Sequence, residues 1–143
     1  MTTSNWIFWA ALSAVFAALT AIFAKVGMQG VDSDLATLVR TVIITFVLAA
    51  FIWMSGKWSN PLALSSRTWL FLSLSALATG ASWVCYFRAL QMGNASQVAP
   101  VDKFSLVLVA IFAVAFLDER PSAQEWIGIA MVAGGVLVLA LKR

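Results

Sequence analysis

Charged residues and histidine are scarce in this chain. Only 10% of its 143 residues are charged, it has no histidine, and its one cysteine is Cys85. Without histidine the chain cannot form His/Cys metal sites or a Ser-His-Asp triad, and a single cysteine cannot form an intrachain disulfide. No basic run interleaved with aromatic residues indicates nucleic-acid binding. We therefore predict that the protein is not an enzyme and has no metal, no cofactor and no nucleic-acid partner.

Apolar residues dominate the composition instead. They make up 62% of the chain, and the mean hydropathy is +0.95, whereas soluble domains carry about 25% charged residues. A membrane-spanning helix needs about 20 apolar residues. The fold class we predict is therefore an all-α membrane protein with five transmembrane helices. The five stretches are Trp6–Val26, Leu35–Ser55, Trp69–Leu90, Gln97–Leu117 and Trp126–Leu141.

The connections between these stretches are too short to hold a soluble domain, so we expect residues 1–143 to form a single transmembrane domain. Their polar residues read as helix starts. Ser122-Ala-Gln-Glu125 fits a capping box at the fifth helix. Asp32, Ser33 and Asp34 are candidate N-caps of the second helix.

The pair Asp102-Lys103 lies inside a stretch that is otherwise suited to lipid. A charge inside a spanning helix costs about 2.5–3.5 kcal/mol on insertion scales, so it usually faces a partner or a water-filled cavity. If the chain crosses the membrane five times, Lys25, Arg40 and Arg88 lie near the same membrane side as this pair. Two interpretations stay open: a salt-bridged cluster that ties helices together, or a polar cavity with surplus positive charge that holds an anionic group.

Side chains near the pair extend this hypothesis. Adjacent helical residues point about 100° apart, so Asp102 and Lys103 are expected to face different neighbours, with Arg40 or Arg88 as the partner of Asp102. Pro100 removes one helical hydrogen bond and predicts a kink. Trp83 and Tyr86 fit less easily as interfacial anchors. Two alternatives stay open for them: contact with lipid or neighbouring helices, or a place in the wall of a cavity.

The fifth helix is rich in small residues, which let membrane helices approach closely. Gly128, Ala130, Gly134 and Gly135 are the candidates for this role. The pattern serves packing within one chain as well as it serves a dimer, so both alternatives stay open.

Three segments together resemble the EamA-type module of the drug/metabolite transporter superfamily. They are W-V-C-Y-F-R-A-L-Q-M-G-N-A-S-Q-V-A-P-V-D-K-F-S-L-V-L-V (Trp83–Val109), F-L-D-E-R-P (Phe116–Pro121) and I-G-I-A-M-V-A-G-G-V-L-V-L (Ile127–Leu139), with F-A-K-V-G-M (Phe23–Met28) and A-T-L-V-R-T (Ala36–Thr41) matching as well. The resemblance covers essentially the full chain and is closest to the five-helix bacterial and archaeal subgroup with one module per chain.

The resemblance implies a bacterial or archaeal inner-membrane exporter of amino acids or other metabolites. Most such proteins have ten helices, built from two modules in opposite orientation, and alternating access is commonly built on inverted repeats. One module has no inverted copy of itself, so we expect a homodimer, with antiparallel insertion the favoured arrangement. The four-helix small multidrug resistance proteins of the same superfamily work in this way.

Loop charges bear on this arrangement. Strict counting gives three basic residues on the N-terminal side and four on the other; adding Arg40 and Lys103 gives three against six. The bias favours a cytoplasmic C-terminus and allows dual insertion.

Together these features predict a secondary transporter for a small polar metabolite such as an amino acid. We expect the substrate pathway to be lined or shaped by Arg40, Trp83, Tyr86, Arg88, Asp102 and Lys103. Alternatives are a multidrug exporter of cationic compounds and a non-transporting membrane subunit. The sequence leaves the substrate, the coupling ion and the direction of transport open.

Overall fold

The structure is a computed structural model that describes the backbone of residues 4–141 and side chains from Trp6 onward. Within that range every regular element is helical and there is no strand. Five segments are long and apolar enough to cross a membrane, which confirms the predicted fold class. The helices are α1 (Ser4–Gly27), α2 (Ser33–Met54), α3 (Ser66–Met92), α4 (Ala95–Asp102), α5 (Ser105–Leu117) and α6 (Ala123–Leu141), with a 3₁₀ turn at Pro61–Ala63.

Polar caps explain why the helices begin two or three residues before the apolar stretches do. The Asp32 carboxylate accepts hydrogen bonds from the backbone N–H groups of Asp34 and Leu35, at 2.9 and 3.1 Å. At α6 the predicted capping box is confirmed, since Ser122 N–H donates to the Glu125 carboxylate at 2.6 Å and Glu125 N–H donates to Ser122 Oγ at 3.3 Å. Each cap satisfies backbone donors that a helix start leaves unpaired. Because Asp32 is the cap of α2, the Asp34 side chain is left for other contacts.

The fourth span is interrupted, and α4 and α5 are its two parts. The sequence predicts a kink at Pro100; α4 includes this residue and ends at Asp102. The change falls at Lys103 and Phe104, whose N–H groups bond three residues back, to Pro100 and Val101, both at 3.0 Å. Hydrogen bonds of this spacing belong to a 3₁₀ turn. Lys103 therefore lies in the interruption itself.

The backbone divides into two compact units. One unit is made of two chain segments, the described residues up to Ile22 and those from Met92 onward. The other unit is Phe23–Gln91. In the first unit α6 packs against α4 and α5. The least exposed residues of α6, Ile129, Ala133 and Val136, are spaced i, i+4, i+7 and so form one inward seam.

In the second unit α2 and α3 pack at one end only. Every buried or half-buried residue of α2 lies within Ser33–Ile44, and every one of α3 lies at or after Trp83. The remaining half of each helix has no buried residue. Phe87 and Leu90, 2% and 0% exposed, anchor the packed end. The two helices therefore form a hairpin that is held together where α2 begins and α3 ends.

Candidate substrate site

Lys25 closes the packed end of the second unit. Its ammonium group donates to the carbonyl oxygen of Leu90 at 2.7 Å and to that of Gln91 at 3.4 Å. These are carbonyls of the last turn of α3, which have no partner within the helix. The Gln91 side chain in turn donates to the carbonyl oxygen of Val31 at 2.8 Å. Lys25 therefore has a structural role as a cap of α3.

Arg88 and Asp34 form a bidentate ion pair between α3 and α2. Arg88 Nε lies 2.9 Å from Asp34 Oδ1, and Nη2 lies 2.5 Å from Oδ2. A planar guanidinium matches a carboxylate in this fork geometry. The sequence predicts Arg88 as one of two candidate partners of Asp102, and it predicts for Asp34 only a role as a candidate cap of α2. The Arg88–Asp34 contact corrects both assignments, and it was missed because the two residues are 54 positions apart.

A cleft of about 600 Å³ lies between α2 and α3, with Asp34 at its edge. It contains Trp83, one of the predicted cavity residues, whereas Arg40, Tyr86 and Arg88 are not on its wall. The wall residues are Asp34, Thr37, Leu38, Thr41, Leu72, Ser75, Ala76, Thr79, Gly80, Trp83 and Val84.

Threonine hydroxyls give this cleft its polar side. The hydroxyls of Thr37, Thr41 and Thr79 donate to carbonyls four residues back on their own helices, at 2.7, 2.8 and 2.9 Å. A hydroxyl oxygen whose hydrogen is used in this way still has acceptor capacity. The wall can thus accept hydrogen bonds from a donor such as an ammonium group, and Asp34 adds a carboxylate nearby.

Sequence reasoning missed most of these polar wall residues. The signal was present, since Asp34, Thr37 and Thr41 are spaced i, i+3, i+7, which places them on one face of a helix. A strip of polar residues along an otherwise apolar span indicates a face that avoids lipid. The threonines are hard to recognise from the sequence because a neutral hydroxyl costs far less in lipid than a charged group does.

A second cluster of side chains joins α2 to α3 outside the cleft wall, and it consists of Arg40, Tyr86 and Phe87. The Arg40 guanidinium carbon lies 4.1 Å from the centroid of the Phe87 ring, and the rings of Tyr86 and Phe87 meet edge to face at 5.1 Å. The Nη1 atom of Arg40 is buried and has no hydrogen-bond partner among the described residues. This arrangement gathers two of the predicted pathway residues, Arg40 and Tyr86.

The aromatic contact does not balance the energetic cost of Arg40. An arginine in the middle of a membrane helix costs about 2.5–3.5 kcal/mol. A cation–π contact returns about 0.5–2 kcal/mol, and a buried donor without an acceptor adds to the cost. Arg40 is thus a half-buried cation whose neighbours compensate it only in part.

Asp102 and Lys103 contact each other, contrary to the prediction that they face different neighbours. Lys103 Nζ lies 3.4 Å from Asp102 Oδ2, and the side chains are 52% and 35% exposed. The prediction was wrong because it assumed a continuous helix. Lys103 lies in the 3₁₀ turn, and its long side chain can fold back. The contact is long for a hydrogen bond, so both groups can still interact with a solute.

The small residues of α6 lie outside its inward seam. Gly128, Ala130, Gly134 and Gly135 are exposed, and a Cβ atom placed on any of the three glycines would meet no neighbouring atom within 4 Å. Gly128 borders a groove of about 420 Å³ between α5 and α6. Packing within the described chain therefore uses the aliphatic seam of α6 and not these four residues.

The sequence of the chain matches a known protein family. The EamA-like transporter family matches residues 4–141. The chain belongs to this family. The family match makes it a membrane transporter, and its five apolar helices are long enough for a multi-pass arrangement.

Two relatives show how far the likeness extends. An uncharacterized transporter in the cobO 3' region of Sinorhizobium sp is 56% identical over 139 residues, which is 97% of this chain and 99% of the relative. A probable 4-amino-4-deoxy-L-arabinose-phosphoundecaprenol flippase subunit, ArnE, of Yersinia pestis is 27% identical over 84 residues, 58% of this chain and 74% of the relative. No solved structure matches the chain.

Proposed function

We propose that this EamA protein is a secondary transporter of a small polar metabolite, such as an amino acid, in a bacterial or archaeal inner membrane. The observation that carries the proposal is the cleft between α2 and α3. Its volume of about 600 Å³ lies within the range of roughly 300–1,000 Å³ typical of small-molecule sites. Its wall combines apolar side chains with a few polar groups, as such sites do.

The cleft offers specific contacts to a zwitterionic solute. The acceptor oxygens of Thr37 and Thr41 suit an ammonium group, and Asp34 becomes available to it when Arg88 separates, while Trp83 and Leu72 suit an apolar side chain. The Arg88–Asp34 ion pair ties α2 to α3 at the packed end of the hairpin. In this proposal the pair keeps that end closed in one conformation and separates when α2 and α3 move apart.

The transporting unit in this proposal is a homodimer. Alternating access needs two related halves, and this chain supplies one module. The four small residues of α6 lie outside its own packing seam, so they are accessible to a partner helix that packs closely. The nearly balanced loop charges suit an antiparallel pair, with the second copy inserted the other way round.

A second candidate is the movement of a lipid-linked solute. The halves of α2 and α3 away from the packed end bury no side chain, so a lipid tail could lie between them while a polar head group occupies the cleft. The relation to a flippase subunit of Yersinia pestis points the same way.

Filling the cleft tests the proposal. Purified protein is placed in liposomes, and uptake of a panel of amino acids is compared for wild type, Ala76→Trp and Ala78→Trp. Ala76 lies on the cleft wall, whereas Ala78 is two positions on, about 200° around the helix, and is not on the wall. We expect uptake of at least one amino acid to be lost in Ala76→Trp and kept in Ala78→Trp. Equal uptake by the two variants would refute the cleft as the substrate site.

A further inference from the structure

Arg40 occupies an inward position of α2. Ser33, Thr37, Arg40 and Ile44 are spaced i, i+4, i+7, i+11, and each of them is buried or half-buried. This spacing forms one continuous seam on a helix. The position is one where a membrane helix usually carries a small or aliphatic residue, yet here it carries a guanidinium group.

The Arg40 side chain lies within the packed part of the α2–α3 hairpin and not at its end. Its Cα lies seven residues after Ser33, which is about 10 Å along the helix axis. Its guanidinium rests over the ring of Phe87, and Phe87 lies five residues before the end of α3, about 7–8 Å from it. The group therefore lies against a ring that is only 2% exposed, at a position inside both helices and not at their ends.

No acidic side chain of the second unit neutralises Arg40. Asp34, on the same helix, is bound by Arg88, and it lies six positions earlier, about 240° around the helix. Asp32 is at the helix start, where its carboxylate caps α2. The buried Nη1 atom of Arg40 has no acceptor within the described chain. Within the second unit the charge of Arg40 is therefore not neutralised, and its buried donor is available to an anionic acceptor.

The geometry points to Arg40 as the binding group for an anionic moiety, a carboxylate or a phosphate, carried by a ligand of this protein. Guanidinium groups pair with both moieties through parallel N–H donors. The inference rests on the proposed transport function and narrows the substrate class to solutes with an anionic group. The anion belongs either to a free solute or to a lipid head group, and both sources present the same chemistry to Arg40.

A binding measurement tests this inference without depending on transport. Thermal unfolding is followed in a phosphate-free maltoside detergent, with matched probes added to wild type, Arg40→Gln, Arg40→Lys and Arg67→Gln. The solute probes are amino acids and their carboxamides, together with inorganic phosphate. The lipid probes are short-chain phosphatidylglycerol and a diacylglycerol of the same chain length. Arg67 is the matched control, because its guanidinium also lies over a ring, that of Phe71 at 5.9 Å, on an exposed stretch of α3.

We expect at least one probe with an anionic group to raise the Tm of wild type and Arg67→Gln, and in the paired probes to do so more than the counterpart that lacks this group. Arg40→Gln should bind that probe about tenfold to a hundredfold more weakly, since a charge-assisted contact is lost, and Arg40→Lys should keep part of the affinity. An effect of amino acids or phosphate assigns a free solute, and an effect of phosphatidylglycerol alone assigns a lipid.

Two results would overturn the inference. One is a wild-type protein that phosphate does not stabilise and that no other probe with an anionic group stabilises more than its counterpart without that group. The other is an Arg40→Gln variant that binds the anion as well as wild type does. If Arg40→Gln does not fold, the comparison of wild type with Arg40→Lys and the paired probes still decides. A wild-type protein that binds the anionic probes but transports no solute would count against the proposed function and not against the role of Arg40.

Discussion

Replacing Lys25 with methionine should destabilise the protein without changing anion binding. The replacement removes the 2.7 Å bond from the ammonium group to the carbonyl oxygen of Leu90; the 3.4 Å contact to Gln91 is too long to add much. A hydrogen bond that involves a charged group contributes about 1.5–3 kcal/mol. A domain of this size loses about 2–4 °C of Tm for each kcal/mol, so we expect a fall of about 3–12 °C.

The assay is thermal unfolding in detergent, with Lys57→Met as the matched control. Lys57 is exposed in the connection after α2, so its loss changes net charge by the same amount without removing a helix cap. Equal Tm values for Lys25→Met and Lys57→Met would refute the capping role. If Lys25→Met loses anion binding while its Tm stays unchanged, Lys25 binds the anion and does not cap α3.

Two further predictions concern contacts between helices and between chains. Asp34→Asn and Arg88→Gln should each lower stability, and the exchange Asp34→Arg with Arg88→Asp should restore part of it, because the pair joins α2 to α3; an exchange whose Tm is no higher than that of either single variant would argue against the pair. Gly134→Leu should leave the monomer folded, because the added side chain meets open space, but should shift the purified protein from dimer to monomer by light scattering; an unchanged mass would remove α6 from the interface.

Helix-forming features were readable from the sequence because they are local. Hydropathy over about 20 residues sets a span, and the caps at Asp32 and Ser122 act within three residues of themselves. The sequence predicted a kink at Pro100, and the interruption of the fourth span follows at Lys103 and Phe104. A proline indicates a weak point in a helix, but where the hydrogen bonds change depends on the residues around it.

The partners of the charged residues were not readable, since they depend on which helix faces come together. Arg88 could have paired with any acid on its membrane side, and the packing of α2 on α3 selected Asp34. Arg40 was correctly singled out as needing an explanation, but its contact with Phe87 followed only from the packed seam. The location of the cleft between α2 and α3 was not predicted for a different reason. Its polar side is lined by threonines, which give little signal in a sequence because they cost little in lipid.

The most direct measurement of the central claim is the ratio of amino-acid uptake by Ala76→Trp to that by Ala78→Trp, at equal amounts of folded protein in the liposomes. The two variants differ only in whether the indole fills the cleft between α2 and α3 or points away from it. A ratio near zero, with Ala78→Trp close to wild type, is the predicted result. A ratio near one in the presence of clear wild-type uptake would contradict the account, because solute would then cross the membrane by another route.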